Sequence, residues 1–178
     1  MFGTKLGYSE YCAIPDDGLR HEVIDGVHFV NPSPFSRHQL ASARIFGEIF
    51  VSLDRANFGR VMTAPMDVQL SEHDIVQPDI VVVLNDNKQI ITETHIVGAP
   101  DLVVEILSKS TRRLDRERKF ALYERSGIRE YWIVDTEARV IDQFVLVNGS
   151  YELRAQASAS LQLAILPDVT IELARVWE

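Results

Sequence analysis

Residues 101–135, DLVVEILSKSTRRLDRERKFALYERSGIREYWIVD, combine two apolar runs with a charged segment between them. The runs at 101–107 and 130–135 are rich in β-branched and aromatic residues, which is typical of strands buried on both faces of a sheet. The segment at 111–126 has the apolar spacing of a helix and is followed by Gly127. A strand, a helix and a strand of these lengths predict a crossover unit with two parallel strands.

The rest of the chain predicts further strands and helices around that unit. Asp25-Gly26 and Asn148-Gly149 favour two-residue hairpin turns, and each lies between short runs typical of strands. The other predicted elements are a short helix at 8–16, a helix at 36–57, a strand at 60–70 broken near Pro65, a strand at 78–84 and a last strand within 160–176. Residues 1–178 are therefore predicted to form one α/β domain, with a mixed β-sheet core flanked by helices and an N-terminal β-hairpin.

The composition is that of an ordinary folded domain, with 46% hydrophobic and 25% charged residues among 178. No apolar stretch approaches the roughly 18–20 residues of a membrane span, and the first residues lack the apolar centre of a signal peptide. Cys12 is the only cysteine, so an internal disulfide is impossible. We therefore expect a cytoplasmic protein without a membrane partner.

The charge pattern and the missing motifs exclude several function classes. The formal net charge of −8 argues against nucleic-acid binding by charge alone, although the segment at 109–119 is locally basic. The simpler interpretation of that segment is a solvated helix face with charge pairs. Because no glycine-rich phosphate loop and no G-x-S-x-G motif occurs, we expect no nucleotide cofactor and no α/β-hydrolase chemistry. A zinc site is not expected either, because paired ligand spacing is absent from His21, His28, His73 and His95.

Acidic residues inside two apolar runs are the first sign of chemistry, because a buried carboxylate is costly without a partner. Asp79 opens the run at 78–84, and Asp101 and Glu105 lie in the run at 101–107. Side chains two residues apart on a strand share a face, so Asp101 and Glu105 are predicted on one side. If the two strands are neighbours, Asp79 and Glu105 converge on one cation. Hard divalent ions such as Mg²⁺ bind one or two carboxylates together with water.

The helix that follows offers a lysine to this pair of acids. Asp115, Lys119 and Tyr123 are spaced by four residues and therefore share one helix face, which can cover the metal end of the strands. A lysine beside a metal orients the attacking water or stabilises developing charge. The same spacing also fits a simple ion pair between Lys119 and Asp115, and single acids at strand starts are common.

Three stretches of the chain resemble one known family. They are RHEVIDGVHFVNPSPFSRHQ at 20–39, QPDIVVVL at 77–84 and the segment at 98–135. In this order they are similar to the Uma family, which is grouped with bacterial restriction endonucleases in the PD-(D/E)XK nuclease superfamily. The resemblance covers roughly residues 20–135. It implies a restriction-endonuclease-like mixed sheet flanked by helices, and hydrolysis of DNA phosphodiester bonds with Mg²⁺, for which Mn²⁺ can substitute.

The resemblance also assigns the acids. Pro78-Asp79 matches the PD element and Glu105 matches the second acid, so both are expected to bind the metal. Glu22 matches an acid of the family's opening motif and is expected to reach the same site.

The catalytic lysine is the one departure from the superfamily pattern. It is expected two residues after the second acid, where this chain has Leu107. The resemblance suggests that Lys119 on the following helix takes its place, assisting the attacking water. Lys109 is the rival, because it shares the strand face of Glu105 but lies beyond the predicted strand end.

Supporting residues and partners complete the hypothesis of a DNA endonuclease. The expected supporting roles are phosphate contacts for Arg112, Arg113 and Arg116, a phosphate or water contact for His38, and orientation of Lys119 for Asp115, with Tyr123 beside them. A homodimer is expected, because cutting both DNA strands needs two sites. Two alternatives stay open: a catalytically inactive binding or regulatory module on a nuclease fold, and a structural dimer-forming protein whose acids only pair with the basic helix.

Overall fold

The structure is a computed structural model that describes residues 5–32, 35–108 and 112–178. Its strands within these ranges are β1 (Arg20–Ile24), β2 (Val27–Asn31), β3 (Gly59–Thr63), β4 (Val68–Ser71), β5 (Asp74–Val76), β6 (Ile80–Leu84), β7 (Ile96–Val97), β8 (Leu102–Ile106), β9 (Glu130–Asp135), β10 (Val140–Val147), β11 (Ser150–Ala157), β12 (Ser160–Gln162) and β13 (Thr170–Glu172). They form a six-stranded sheet in the order β11-β10-β9-β8-β6-β3, a five-stranded sheet in the order β2-β1-β5-β4-β7, and a β12-β13 pair.

The longest helix has 14 residues and packs against one face of the central sheet, and the other helices are short. The helices are α1 (Tyr8–Cys12), α2 (Ser36–Ile49) and α3 (Phe120–Arg125), with 3-10 turns at Asn85–Ile90 and Ala174–Trp177. Wider π-helical turns extend α2 over Phe50–Asp54 and precede α3 over Leu114–Lys119. Within the described ranges, none of the helices has the length and apolar character needed to cross a membrane.

The crossover unit predicted from 101–135 is confirmed. Strands β8 and β9 are neighbours and run parallel, with Leu102 opposite Glu130 and Ile106 opposite Val134. Strand β6 lies antiparallel on the other side of β8. The runs at 78–84 and 101–107 are therefore adjacent, which is the condition under which their acids converge.

Both predicted hairpins are present. Strands β1 and β2 meet at Asp25-Gly26, where φ is 55° and 77°, and β10 and β11 meet at Asn148-Gly149, where φ is 51° and 85°. Positive φ at both turn positions suits asparagine, aspartate and glycine, which explains why these dipeptides occur there. The run at 60–70 divides near Pro65, as predicted, and its two halves enter different sheets.

Two predicted helices differ from the structure in detail. The helix expected at 8–16 ends at Cys12. The helix expected at 36–57 is present. Of the apolar residues whose spacing predicts it, Ile45, Ile49 and Leu53 are buried, together with Ala41, while Leu40 and Phe50 are exposed. Residues four apart follow a slowly turning stripe along a helix, and Leu40 lies beside that stripe rather than on it.

Two apolar layers cover the central sheet, one on each face. Leu102, Val104 and Ile106 of β8 pack in the layer that contains the buried face of α2. Val103 packs on the other face, in the layer that contains Leu122 of α3. The alternation predicted for 101–107 is confirmed, and it turns Glu105 towards the segment that carries Lys119 and α3.

Candidate active site

Asp79 and Glu105 meet at one end of the central sheet. Asp79 immediately precedes β6, and the pairing of Ile80 with Val104 places it across from Glu105 of β8. Both side chains line a small cavity of about 30 Å³, here called the acid cavity, which is bounded by Arg20, Asn31, Pro32, His38, Asp79, Glu105, Ile106, Ser108, Asp115 and Lys119. A water molecule needs roughly 10–15 Å³ measured in this way, so the space suits a small ion or water.

Asp79 is held by three donors. Arg20 Nη1 lies 2.9 Å from its Oδ1, His38 Nε2 lies 3.0 Å from its Oδ2, and the backbone N–H of Ile106 donates to Oδ2 at 2.8 Å. Burial opposes ionisation, but the hydrogen bond and charge of His38 and the charge of Arg20 outweigh it and lower the pKa of Asp79 to about 2. Asp79 is therefore a fixed carboxylate near neutral pH.

Glu105 is buried beside Lys119 and a phenol. Lys119 Nζ donates to its Oε1 at 2.9 Å, and the Tyr123 hydroxyl donates to the same oxygen at 2.6 Å. Burial raises the pKa of Glu105 to about 8, with Lys119 opposing the rise and the neighbouring acids adding to it. An additional positive charge in the acid cavity would favour the ionised form of this side chain.

Lys119 lies at the centre of a ring of acids. Its Nζ is 2.8 Å from Glu22 Oε1, 2.9 Å from Glu105 Oε1 and 3.7 Å from Asp115 Oδ1. Burial alone would lower its pKa, but these carboxylates raise it, so the amine carries its charge. The alternative of a simple pair with Asp115 describes only the longest of the three contacts.

The predicted lysine face takes an unexpected backbone form. Residues Leu114–Lys119 are wound as a π-helix, and the α-helical geometry resumes at Phe120. Such wide turns are frequent at functional sites, because they change the direction of side chains within a helix. Here the wide turn ends at Lys119, whose amine contacts Glu22 and Glu105. Leu107, at the superfamily's lysine position, packs in the apolar layer under α3.

Glu22 reaches the site from the N-terminal hairpin, as the resemblance implied. Its Oε1 accepts the backbone N–H of Gln77 at 2.8 Å, and its Oε2 accepts the Asn31 amide at 2.5 Å. These contacts fix the carboxylate that holds Lys119.

Arg20, Asn31 and Gln77 are site residues that the sequence analysis missed. Arg20 contacts Asp79 and also the carbonyl oxygen of Gln77. Strand alternation was the available signal, since Arg20 and Glu22 lie two residues apart on β1 and share a face.

Other residues named from the sequence lie elsewhere. Asp101 sits at the opposite end of β8, where it pairs with Arg129 at 3.1 Å and accepts the backbone N–H of Leu84. Lys109 lies outside the described residues. His21 and His28, whose sequence spacing is not that of zinc ligands, form a hydrogen-bonded pair with 2.9 Å between their ring nitrogens.

The three arginines predicted to contact phosphates each pair with an acid. Arg112 lies 3.0 Å from Asp135, Arg113 lies 3.0 Å from Glu117, and Arg116 lies 3.1 Å from Asp142. A guanidinium has five donors, so the single pairs of Arg113 and Arg116 leave further donors for a phosphate, whereas Arg112 also has Glu137 at 4.0 Å. Their role in DNA binding stays a prediction.

The donor set fits a hard divalent cation with water ligands. Across the described ranges, no three His, Cys, Asp or Glu side chains converge in a geometry ready for a metal ion. Mg²⁺ commonly takes one or two carboxylates and keeps several waters, which matches Asp79 and Glu105 in a cavity of this size. The buried His38 Nδ1 and Arg20 Nε also find no partner among the described residues, which suits a site that receives water or substrate oxygen.

Comparisons with known proteins bear on the family and the fold of the chain. Residues 8–174 match the family model Uma2, described as "Putative restriction endonuclease". The fold is similar to the crystal structure of "a putative nuclease belonging to DUF820" from Anabaena variabilis ATCC 29413, with 16% sequence identity, coverage of 97% of each chain and a TM-score of 0.78. At that identity the structural match shows the fold alone. No curated protein matches the chain.

Proposed function

The chain belongs to the Uma2 family of restriction-endonuclease-like proteins, and from that premise we propose that it is a Mg²⁺-dependent endonuclease acting on DNA. The observation that carries the proposal is the acid cavity, in which Asp79 and Glu105 face each other with the Lys119 amine 2.9 Å from Glu105. A carboxylate pair with a charged lysine is suited to hydrolysis of a phosphodiester, because negative charge develops on the phosphoryl group.

Each residue has a distinct task in this proposal. Asp79 and Glu105 would hold the cation, which would supply a bound water of lowered pKa and an electrophile for the phosphoryl oxygen. Lys119 donates hydrogen bonds that position the attacking water and offset charge on the phosphate. The water oxygen bonds to phosphorus as the bond to the leaving oxygen breaks, so accurate positioning of that water is the main contribution of the lysine.

The surrounding contacts keep these groups in place. Glu22 and Asp115 orient the Lys119 amine, and Tyr123 fixes the Glu105 carboxylate. Arg20 and His38 hold Asp79 so that its oxygens face the acid cavity. Such supporting partners typically change metal affinity or activity by about 10–100-fold when removed.

Plasmid nicking by the purified protein tests the proposal. We expect cleavage with Mg²⁺ or Mn²⁺, none with EDTA, and loss of cleavage in Asp79→Asn, Glu105→Gln and Lys119→Met. Asp101→Asn is the matched control, because Asp101 is also buried and ion-paired but lies at the other end of β8. Cleavage that survives both Asp79→Asn and Glu105→Gln would rule out this mechanism.

A catalytically inactive binding module is the second candidate function. The contacts of Asp79 with both Arg20 and His38 favour it, because these hydrogen-bond donors already satisfy the carboxylate that a metal would bind. Calorimetric titration with Mn²⁺ separates the two. An endonuclease binds the metal through Asp79 and Glu105, whereas an inactive module shows no heat that depends on these acids.

The expected homodimer belongs to the endonuclease proposal. Sedimentation equilibrium tests it directly. If the protein is a monomer that makes only single-strand nicks, the endonuclease cuts one DNA strand each time it binds, and the dimer is not part of the function.

A further inference from the structure

A second, larger concavity adjoins the acid cavity. This outer cleft encloses about 360 Å³ and is lined by residues 35–38 at the start of α2, 107–108 after β8, 135–137 at the end of β9, and Arg112. Its volume lies within the roughly 300–1,000 Å³ of small-ligand pockets.

The outer cleft and the acid cavity share part of their walls. His38 and Ser108 line both spaces. His38 Nε2 also lies 3.0 Å from Asp79, the candidate metal ligand. The residue that separates the two spaces is therefore in direct contact with the candidate site. A DNA strand with its scissile phosphate at the acid cavity therefore places a neighbouring nucleotide at the outer cleft.

The charges around Arg112 disfavour a phosphate in that part of the outer cleft. Asp135 and Glu137 form one wall, and Arg112 lies 3.0 Å from the first and 4.0 Å from the second. The Arg112 charge is thus offset by two carboxylates, which repel the DNA backbone. Carboxylate oxygens do accept hydrogen bonds from the amino groups of bases, as in contacts of Asp or Glu with cytosine.

The lining of the outer cleft also includes an aromatic ring open to solvent. Phe35 is 73% exposed, more than any other large hydrophobic residue in the described ranges. An exposed phenylalanine is costly to leave in water, and stacking of a base on such a ring is a common feature of single-strand recognition. A base paired inside a duplex has both faces covered by its neighbours and cannot stack there.

We propose that the outer cleft binds an unpaired base beside the scissile phosphate, stacked on Phe35, so that the preferred substrate is single-stranded or locally unpaired DNA. The proposal rests on the endonuclease function proposed above and specifies its substrate class. Arg37 also lines the outer cleft, and we expect its guanidinium to contact the backbone of that nucleotide.

Oligonucleotides of one sequence in three forms test the proposal: single-stranded, duplex with one bulged base, and fully paired. Cleavage is measured with the wild-type protein in Mg²⁺, and binding is measured with the Glu105→Gln protein in Ca²⁺ by fluorescence anisotropy. We expect the unpaired forms to be cleaved and bound about tenfold better than the paired duplex. Phe35→Ala should abolish this preference, and Phe35→Trp should retain it.

Leu40→Ala is the matched control, because Leu40 is 55% exposed on the same helix but lines neither space. Equal handling of paired and unpaired DNA, or equal losses on both with Phe35→Ala, would overturn the proposal and leave the endonuclease function standing. If no form is cleaved, the endonuclease function fails, and the binding experiment still decides whether the outer cleft selects unpaired bases.

Discussion

Two buried glutamates on adjacent parallel strands have different surroundings. Glu105 of β8 contacts the charged amine of Lys119 and the hydroxyl of Tyr123, and it lines the acid cavity. Among the residues that the structure describes, the hydrogen-bond donors to Glu130 of β9 are all uncharged. These are Trp132 Nε1 at 2.7 Å, Gln143 Nε2 at 2.6 Å, and the backbone N–H groups of Ala164 at 2.8 Å and Ile165 at 2.9 Å.

The difference teaches that a buried acid is not by itself a sign of chemistry. Burial raises the pKa of Glu130 as it raises that of Glu105, although the hydrogen bonds to Glu130 oppose the rise. Four fixed donors satisfy the Glu130 carboxylate and tie the C-terminal segment to the sheet, which is a structural task. Glu105 instead shares an amine with Glu22 and faces a space that an ion or water can enter.

The largest expected effect distinguishes the two glutamates by activity. Glu105→Gln should lower the nicking rate by about 10²–10³-fold, because it removes one of two carboxylates for the metal. Below about pH 4.5, the variant's free energy of unfolding should stay near that of wild type, because the acid is then largely uncharged in the folded and the unfolded chain and glutamine has the same size. Initial rates and urea denaturation check the two halves. If the Glu105→Gln protein nicks DNA at the wild-type rate, Glu105 has no catalytic role that distinguishes it from Glu130.

The next effect distinguishes them by stability. Glu130→Ala leaves the Trp132 and Gln143 side-chain donors and two backbone N–H groups without their acceptor, and should cost about 3 kcal/mol in free energy of unfolding. Nicking per folded molecule should be unchanged. Glu152→Ala, at an exposed position of β11, is the control and should stay within about 0.5 kcal/mol of wild type. Equal costs for both variants would contradict the structural role of Glu130.

A third effect concerns pH in the absence of divalent cations. The folded protein keeps the Glu105 proton to a pKa of about 8, whereas the ordinary value is 4.5. The stability contributed by this group is therefore complete below about pH 4.5 and is lost as the pH rises towards about 8. Relative to Glu105→Gln, wild type should lose stability across that window, by at most roughly 5 kcal/mol. Urea denaturation in EDTA at several pH values measures it, and parallel curves for the two proteins would contradict the expectation.

The smallest effect tests the hydroxyl that distinguishes Glu105 from Glu130. Tyr123→Phe removes the 2.6 Å hydrogen bond to Glu105 and should lower the nicking rate by about tenfold while the fold persists. Tyr151→Phe is the matched control, because it also removes a phenol hydrogen bond, to the carbonyl oxygen of Ile128, at a site outside the acid cavity. If the two variants have equal rates, Tyr123 has only a packing role.

The sequence by itself determined the crossover unit and both hairpins, and it predicted that Asp79 and Glu105 converge if their two strands are neighbours. These features depend on local spacing, such as alternation along a strand or a turn dipeptide, which the chain carries within a few residues. The resemblance to a known family added Glu22 and suggested Lys119 as the lysine.

Only the tertiary structure decided which side chains surround the acids. Arg20 is 59 residues from its partner Asp79, and Lys119 meets Glu22 from another element altogether. The tertiary structure also places Asp101 and Glu130, which are carboxylic acids as buried as Glu105, away from the candidate site. The physical reason is that the partner of a buried charge is set by the packing of distant elements, which no local pattern records.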